Sequence, residues 1–366
     1  MDFNLDFNLC IFIKYENLQQ TIMNNLLSKR ISISILLIFL FSLSLFSQDA
    51  FFHQYNNMPL QLNPALAGVF NGNHRILSAY RNQSSNLLRG DSHQTTYLSY
   101  DTKAKLGSDY IGLGIHGLHD KAGALELSTR EFNFAASYIH KIGKDSIKYS
   151  HLSLALDLGI SKRSLNTEDA AWPSQHDGNG GYDPTLPGGD PFIPDFYHSN
   201  FSMGLLWESV LGPNTSFKIG TAIHNFNRPN ISYLGNEDVL LDIRYNAHLD
   251  AELGLTKKFS LIPSILYVTQ GNLNSLMIGA AGRIYLDTDT FSSIQLGVRH
   301  RSMKGATPKN FSLVSTLDLT KFTIGLSYDF INYQVLHQNF ISKAYEIVLG
   351  YRFIKSKPNC SKFGNT

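Results

Sequence analysis

The chain has 366 residues, a formal charge of +2 and two cysteines, Cys10 and Cys360. So even a charge balance removes the electrostatic case for a nucleic-acid partner, and two isolated cysteines exclude a disulfide framework or a cysteine metal site. A mean hydropathy of −0.12 suits a soluble protein, or a barrel whose every second strand residue faces a polar lumen.

The first element in the chain is an apolar run at 31–46, preceded by Lys29-Arg30 and followed by Ser47-Gln48. A basic region, an apolar region and a small residue at the cut describe a secretory leader over 1–47, with the natural start at Met23. The run contains four serines and is shorter than the roughly 20 residues a membrane-spanning helix needs. Residues 48–73 then form a segment that is apolar yet rich in turn signals. Asn63-Pro64 punctuates a turn, Gly68 ends it, and Phe51, Phe52 and Tyr55 require burial. Such a segment is expected to plug a lumen or to pack under a barrel rim.

From residue 74 the pattern changes to strict alternation. Fourteen period-two segments are predicted, at 74–80, 94–101, 110–119, 128–140, 150–163, 197–209, 216–225, 242–255, 259–270, 275–286, 293–301, 310–318, 322–330 and 342–353. Successive strand side chains point to opposite faces, so each segment shows one apolar and one mostly polar face. In the fifth, Leu152, Leu154, Leu156, Leu158 and Ile160 oppose Ser153, Asp157 and Ser161. In the last, Tyr345, Ile347, Leu349, Tyr351 and Phe353 oppose Glu346, Val348, Gly350 and Arg352. Most approach the roughly 9–11 residues of a tilted membrane strand. Tyr97, Tyr100, Tyr138, Tyr245, Tyr351 and Phe353 near strand ends suggest aromatic girdles. Connections 81–93, 164–196, 226–241 and 331–341 read as long, and 256–258, 287–292 and 319–321 as short. That asymmetry matches outer loops and periplasmic turns. The expected fold is therefore an all-β, transmembrane antiparallel β-barrel of about fourteen strands over 74–353, with outer-membrane lipid against its apolar face and a tail at 354–366. A soluble propeller or sandwich alternates in the same way, but the leader, the aromatic residues near strand ends and the charges concentrated on one face favour the membrane.

Motifs for chemistry are missing from the sequence. It contains no Gly-x-Ser-x-Gly elbow, phosphate loop or His-Glu-x-x-His helix, so neither an enzyme nor a cofactor is expected. His116 and His119 lie three apart on a strand, hence on opposite faces, which argues against shared metal ligation. Asp177-Gly-Asn-Gly-Gly-Tyr-Asp183 lacks the Gly and Glu of a calcium loop at its sixth and twelfth positions and reads as a surface loop. In the long connections Trp172, Tyr182, Phe192, Arg228 and Tyr233 are the candidates for partner contact, since aromatic and Arg side chains tend to dominate interfaces. Phe353 is the candidate end signal for barrel assembly.

Gln48-Asp-Ala-Phe-Phe52-His53-Gln54-Tyr55, followed by Leu62-Asn63-Pro64-Ala-Leu-Ala-Gly68, resembles the N-terminal signature of the PorP/SprF family of outer-membrane proteins. Tyr80-Arg81-Asn-Gln83, Ser99-Tyr-Asp101, Asp120-Lys-Ala-Gly123, Asn225-Phe-Asn-Arg-Pro229-Asn-Ile-Ser232, Pro263-Ser-Ile-Leu-Tyr267, Gly325-Leu-Ser-Tyr-Asp329 and Tyr351-Arg-Phe353 continue it. The chain departs from the family at Ala50 for Pro, His53 for Ser and Ser84 for Trp. The resemblance implies an accessory of type IX secretion and gliding motility, partnered by secretion components and by a cognate cell-surface protein with a C-terminal sorting domain. A passive transporter for small or hydrophobic solutes is the alternative, since fourteen strands also suit fatty-acid-type transport barrels.

Overall fold

A computed structural model of the protein describes residues 52–84, 92–123, 125–143, 148–166, 173–176, 181, 183, 185–186, 193–235, 238–286, 291–304, 309–335 and 338–353. The leader, the tail and the contact candidates Trp172, Tyr182 and Phe192 lie outside them.

Fourteen antiparallel strands close into one barrel, each paired with its neighbours in sequence and the last with the first. They are β1 (His74–Ser84), β2 (His93–Leu106), β3 (Asp109–Ala122), β4 (Leu127–Ile142), β5 (Tyr149–Ser164), β6 (Asp195–Gly212), β7 (Thr215–His224), β8 (Arg244–Gly254), β9 (Phe259–Gln270), β10 (Leu273–Tyr285), β11 (Phe291–Lys304), β12 (Lys309–Leu319), β13 (Phe322–Val335) and β14 (Gln338–Phe353). The β1–β14 seam runs from His74 opposite Phe353 to Ser84 opposite Lys343. Closure removes the sheet edge, which lipid could not satisfy.

The alternation sorts as the sequence requires. On β5 the side chains Leu152, Leu154, Leu156, Leu158 and Ile160 are exposed on the outer wall, and Ser153, Ala155, Asp157 and Ser161 are buried inside. On β14 Tyr345, Ile347, Leu349 and Phe353 face out, while Glu346 and Val348 are completely enclosed. His116 is buried inward and bonds Asp157 at 3.2 Å, whereas His119 on the opposite phase is exposed. An arginine on the outer face at mid-strand should therefore cost about 2–4 kcal/mol. Leu156→Arg is expected to show this loss as a lowered urea midpoint on refolding into vesicles, and an unchanged midpoint would place β5 outside the membrane.

Two expectations need correction. The connection expected at 331–341 is mostly strand, because β13 and β14 stay paired out to Val335 opposite Gln338. Period-two reading finds a strand only where one face is apolar, but a backbone ladder continues wherever neighbours pair. The long connections are thus 165–194 and 225–243, with 85–92 next. Tyr97 is no girdle residue either. It points inward, is wholly buried, and meets the Phe52 ring edge-on at 6.4 Å.

Candidate functional site

What the barrel encloses is the segment 52–73. Its apolar side chains reach opposite walls. Phe52 and Met58 pack on Ala79, Tyr97, Leu118 and Val348, while Leu62, Ala65 and Leu66 pack on Ile139, Ala155, Leu206, Leu266 and Met277. The segment is a lumenal plug rather than a rim.

Local chemistry explains its shape. Two prolines begin short turns, Pro59 the helical turn Pro59–Leu62 and Pro64 the 3₁₀ turn Pro64–Leu66, where a missing N–H costs nothing. Asn63, forced extended by the following proline, caps the second turn by accepting the Ala65 N–H at 2.9 Å. Its amide also donates to the Leu205 and Thr221 carbonyls at 3.0 and 3.2 Å and lies 3.3 Å from His248 Nε2. One side chain thus ties the plug to β6, β7 and β8. It fits because Gly204 and Gly220 lack side chains, since a Cβ on either would strike the Asn63 amide. Gly68, at φ +74°, ends the plug in a conformation that favours glycine. Its N–H donates to Asp101 Oδ2 at 2.9 Å, and Asp101 accepts Arg75 Nε and Nη2 at 2.9 and 2.7 Å.

The plug enters through a charged knot. Glu346 on β14 accepts the His53 and Gln54 N–H groups at 2.6 and 2.9 Å, one on each carboxylate oxygen. Arg81 on β1 donates from Nη1 to both Glu346 Oε1 and Asp329 Oδ2, each at 2.5 Å. His53 Nδ1 lies 2.8 Å from the same Asp329 oxygen. Arg299 donates to the His53 carbonyl and stacks its guanidinium 4.7 Å over the Tyr55 ring, a further hold on the same stretch of the plug. Burial, and then the Asp250 carboxylate, pushes the Tyr55 phenol up, so it remains a neutral donor to Asp250 at 3.2 Å. His53, Asp329 and Glu346 offer ligand atoms within 4.8 Å of one another. The Arg81 guanidinium, however, already stands where a cation would bridge the carboxylates. The knot is built to hold a chain in place.

Of the residues singled out from sequence, Phe52, His53, Gln54, Tyr55, Asn63, Pro64, Gly68 and Arg81 meet in the lumen. Tyr80, on the outward phase, meets the Tyr345 ring at a tilt, with centroids 6.2 Å apart. Pro229, Arg228 and Tyr233 sit at the far mouth on the β7–β8 connection. Arg228 is half-exposed there, 3.9 Å from Asp242, whereas Tyr233 is tucked edge-on against Phe196 at 5.1 Å. Phe353 ends β14 on the outer face, edge-on to His74 of β1. The sequence marks Asp329 only as the end of a family motif and Glu346 only as a residue of the polar face of its strand, and it gives no sign of Arg299. The signal available was a charge on the inward phase of a strand, which in the sequence looks like any lumenal residue.

Among solved structures, the chain is similar to the TodX monoaromatic hydrocarbon channel deltaS2 mutant (12% identity, 81% of this chain and 93% of that chain, TM-score 0.48). It is similar also to the CymD monoaromatic hydrocarbon channel (10%, 81% and 93%, 0.45) and to the Ralstonia pickettii toluene transporter TbuX (10%, 80% and 93%, 0.45). No curated protein sequence matches it. The family model described as type IX secretion system membrane protein PorP/SprF matches residues 44–351, nearly the whole of the plug and barrel. The chain therefore belongs to the PorP/SprF family, and is an outer-membrane β-barrel associated with type IX secretion.

Proposed function

We propose that the barrel assists secretion or surface attachment of one cognate cell-surface protein carrying a C-terminal sorting domain, recognised at the long-loop end while the plug stays seated. The observation that carries this reading is the construction of the β7–β8 connection. It holds the family motif and is folded on itself, with Ile231 N–H donating to the Val239 carbonyl and Leu241 N–H to that of Pro229. Asn225 and Arg228 take positive φ, an uncommon conformation for residues other than glycine. Yet the described residues of this loop leave Leu234, Val239 and Leu240 exposed, and Ile193, bonded to the Tyr233 carbonyl, is exposed beside it. A hydrogen-bonded loop segment presenting apolar side chains is suited to a protein partner. The plug, braced on opposite walls, supports recognition at the mouth over passage of small solutes.

Replacing residues 172–192 with a short Gly/Ser linker should leave a folded barrel. The cell should lose one large protein from its surface and keep its small-solute uptake. A folded variant with a full set of surface proteins and altered permeability would overturn the proposal in favour of a transporter. A cysteine at Asn179 should label with an impermeant maleimide on intact cells, and labelling only after lysis would reverse the orientation.

A further inference from the structure

At the opposite end the strands leave a cavity of about 710 Å³, floored by the plug residues Pro59, Leu66 and Val69. Its walls are the first or last residues of strands next to the short turns, the end that faces the periplasm in outer-membrane barrels. The volume is that of a ligand site.

The cations around this cavity are unequally matched. Arg75 is paired with Asp101 at 2.7 Å, Lys218 with Glu208 at 3.1 Å, and Arg283 with Glu252 at 2.7 Å. Lys103 and Lys141 have no carboxylate partner among the described residues. The Lys103 ammonium donates to the Phe70 carbonyl at 2.5 Å and stands 5.3 and 6.0 Å from the Phe70 and Tyr110 ring centroids. The Lys141 ammonium stands 5.6 Å from the Tyr149 ring. Each is half-buried, so the field of its charge is less screened than at an open surface.

We propose that this mouth is a binding site for a carboxylate-bearing peptide segment of another protein, with Lys103 and Lys141 receiving the carboxylates and Phe70, Tyr110 and Tyr149 packing the apolar part. The rest of the lining selects a peptide over a compact anion. Glu208, Asp250 and Glu252 face the same cavity, and a phosphate dianion offers their oxygens no N–H group. The same oxygens can accept amide N–H groups, which a peptide supplies. The site lies at the other end of the barrel from the loops of the proposed function and does not depend on them.

The test uses the full barrel in detergent and a fluorescein-labelled six-residue peptide of alternating glutamate and phenylalanine, read by anisotropy. The glutamate peptide should bind, and the same peptide with glutamine in place of glutamate should bind about tenfold or more weakly, as expected for loss of charge-assisted bonds. Lys103→Gln with Lys141→Gln should lose at least as much, and Lys103→Arg with Lys141→Arg should restore it. Barrels carrying the Gly/Ser linker in the long loop should bind undiminished, which separates this site from the export reading. Equal affinity for the two peptides, full affinity in the double Gln variant, or displacement by millimolar inorganic phosphate would each overturn the proposal. If the Gln variant does not fold, judged by heat-modifiable migration, the two-peptide comparison on the unaltered barrel still decides.

Discussion

Arg81→Met should be the most damaging single substitution in the lumen, costing about 3–5 kcal/mol and unseating the N-terminal segment. Arg81 donates to both Asp329 and Glu346 and is the guanidinium that bridges them, and both carboxylates are fully enclosed. Without the guanidinium two like charges are left buried side by side. The cheapest response is to let water in, and water would compete with the His53 and Gln54 N–H groups that Glu346 now accepts. Limited proteolysis of the purified variant should cut within 52–73, and the urea midpoint should fall. Adding Glu346→Gln should recover part of the loss, because it removes one of the uncompensated charges. A double variant as unstable as the sum of the single ones would mean that the pair is not coupled.

Gly204→Ala should have the next largest effect, despite adding one methyl group. That methyl would overlap Asn63 Oδ1. Asn63 cannot step aside without giving up the Ala65 cap and its bonds to Leu205 and Thr221. Overpacking with loss of such bonds costs about 1–3 kcal/mol. Hydrogen exchange over 52–70 should speed up, while exchange on the strands remote from the plug stays slow. Gly212→Ala is the matched control, since a Cβ there meets nothing nearer than Thr215 at 4.0 Å. Equal protection of the plug in the two variants would show that the Asn63 slot is not what holds it.

These two predictions rest on features of very different legibility. The fourteen strands could be read from the chain because lipid on one side and a polar lumen on the other impose a period of two, and the period survives at the level of single residues such as Leu152–Ile160. Strand ends read short in the sequence, as at β13 and β14, because backbone pairing continues beyond the residues that an apolar face marks. The plug was legible only as a requirement, in that Phe52 and Tyr55 needed burial. Its cradle left a faint trace in the inward-phase residues Tyr97, Leu206, Met277 and Val348, apolar where a water-filled lumen would be polar. The knot was not legible. His53 and Glu346 stand 293 positions apart, and only the closing seam of β1 with β14, which sets Arg81 opposite Glu346, brings them together. His53 itself reads as a departure from a family serine, and its partner Asp329 reads as the last residue of a family motif, with nothing in the sequence to join the two.

In the proposed role this outer-membrane barrel holds a surface protein at its long-loop mouth. Leu234, 67% exposed at the β7–β8 loop, is the place to test it. A photo-crosslinking amino acid introduced there and irradiated on intact cells should give one covalent adduct with a single large cell-surface protein, identified by mass spectrometry, while the plug stays protected from protease. No adduct on intact cells, together with uptake of a small solute that depends on this barrel, would contradict the account.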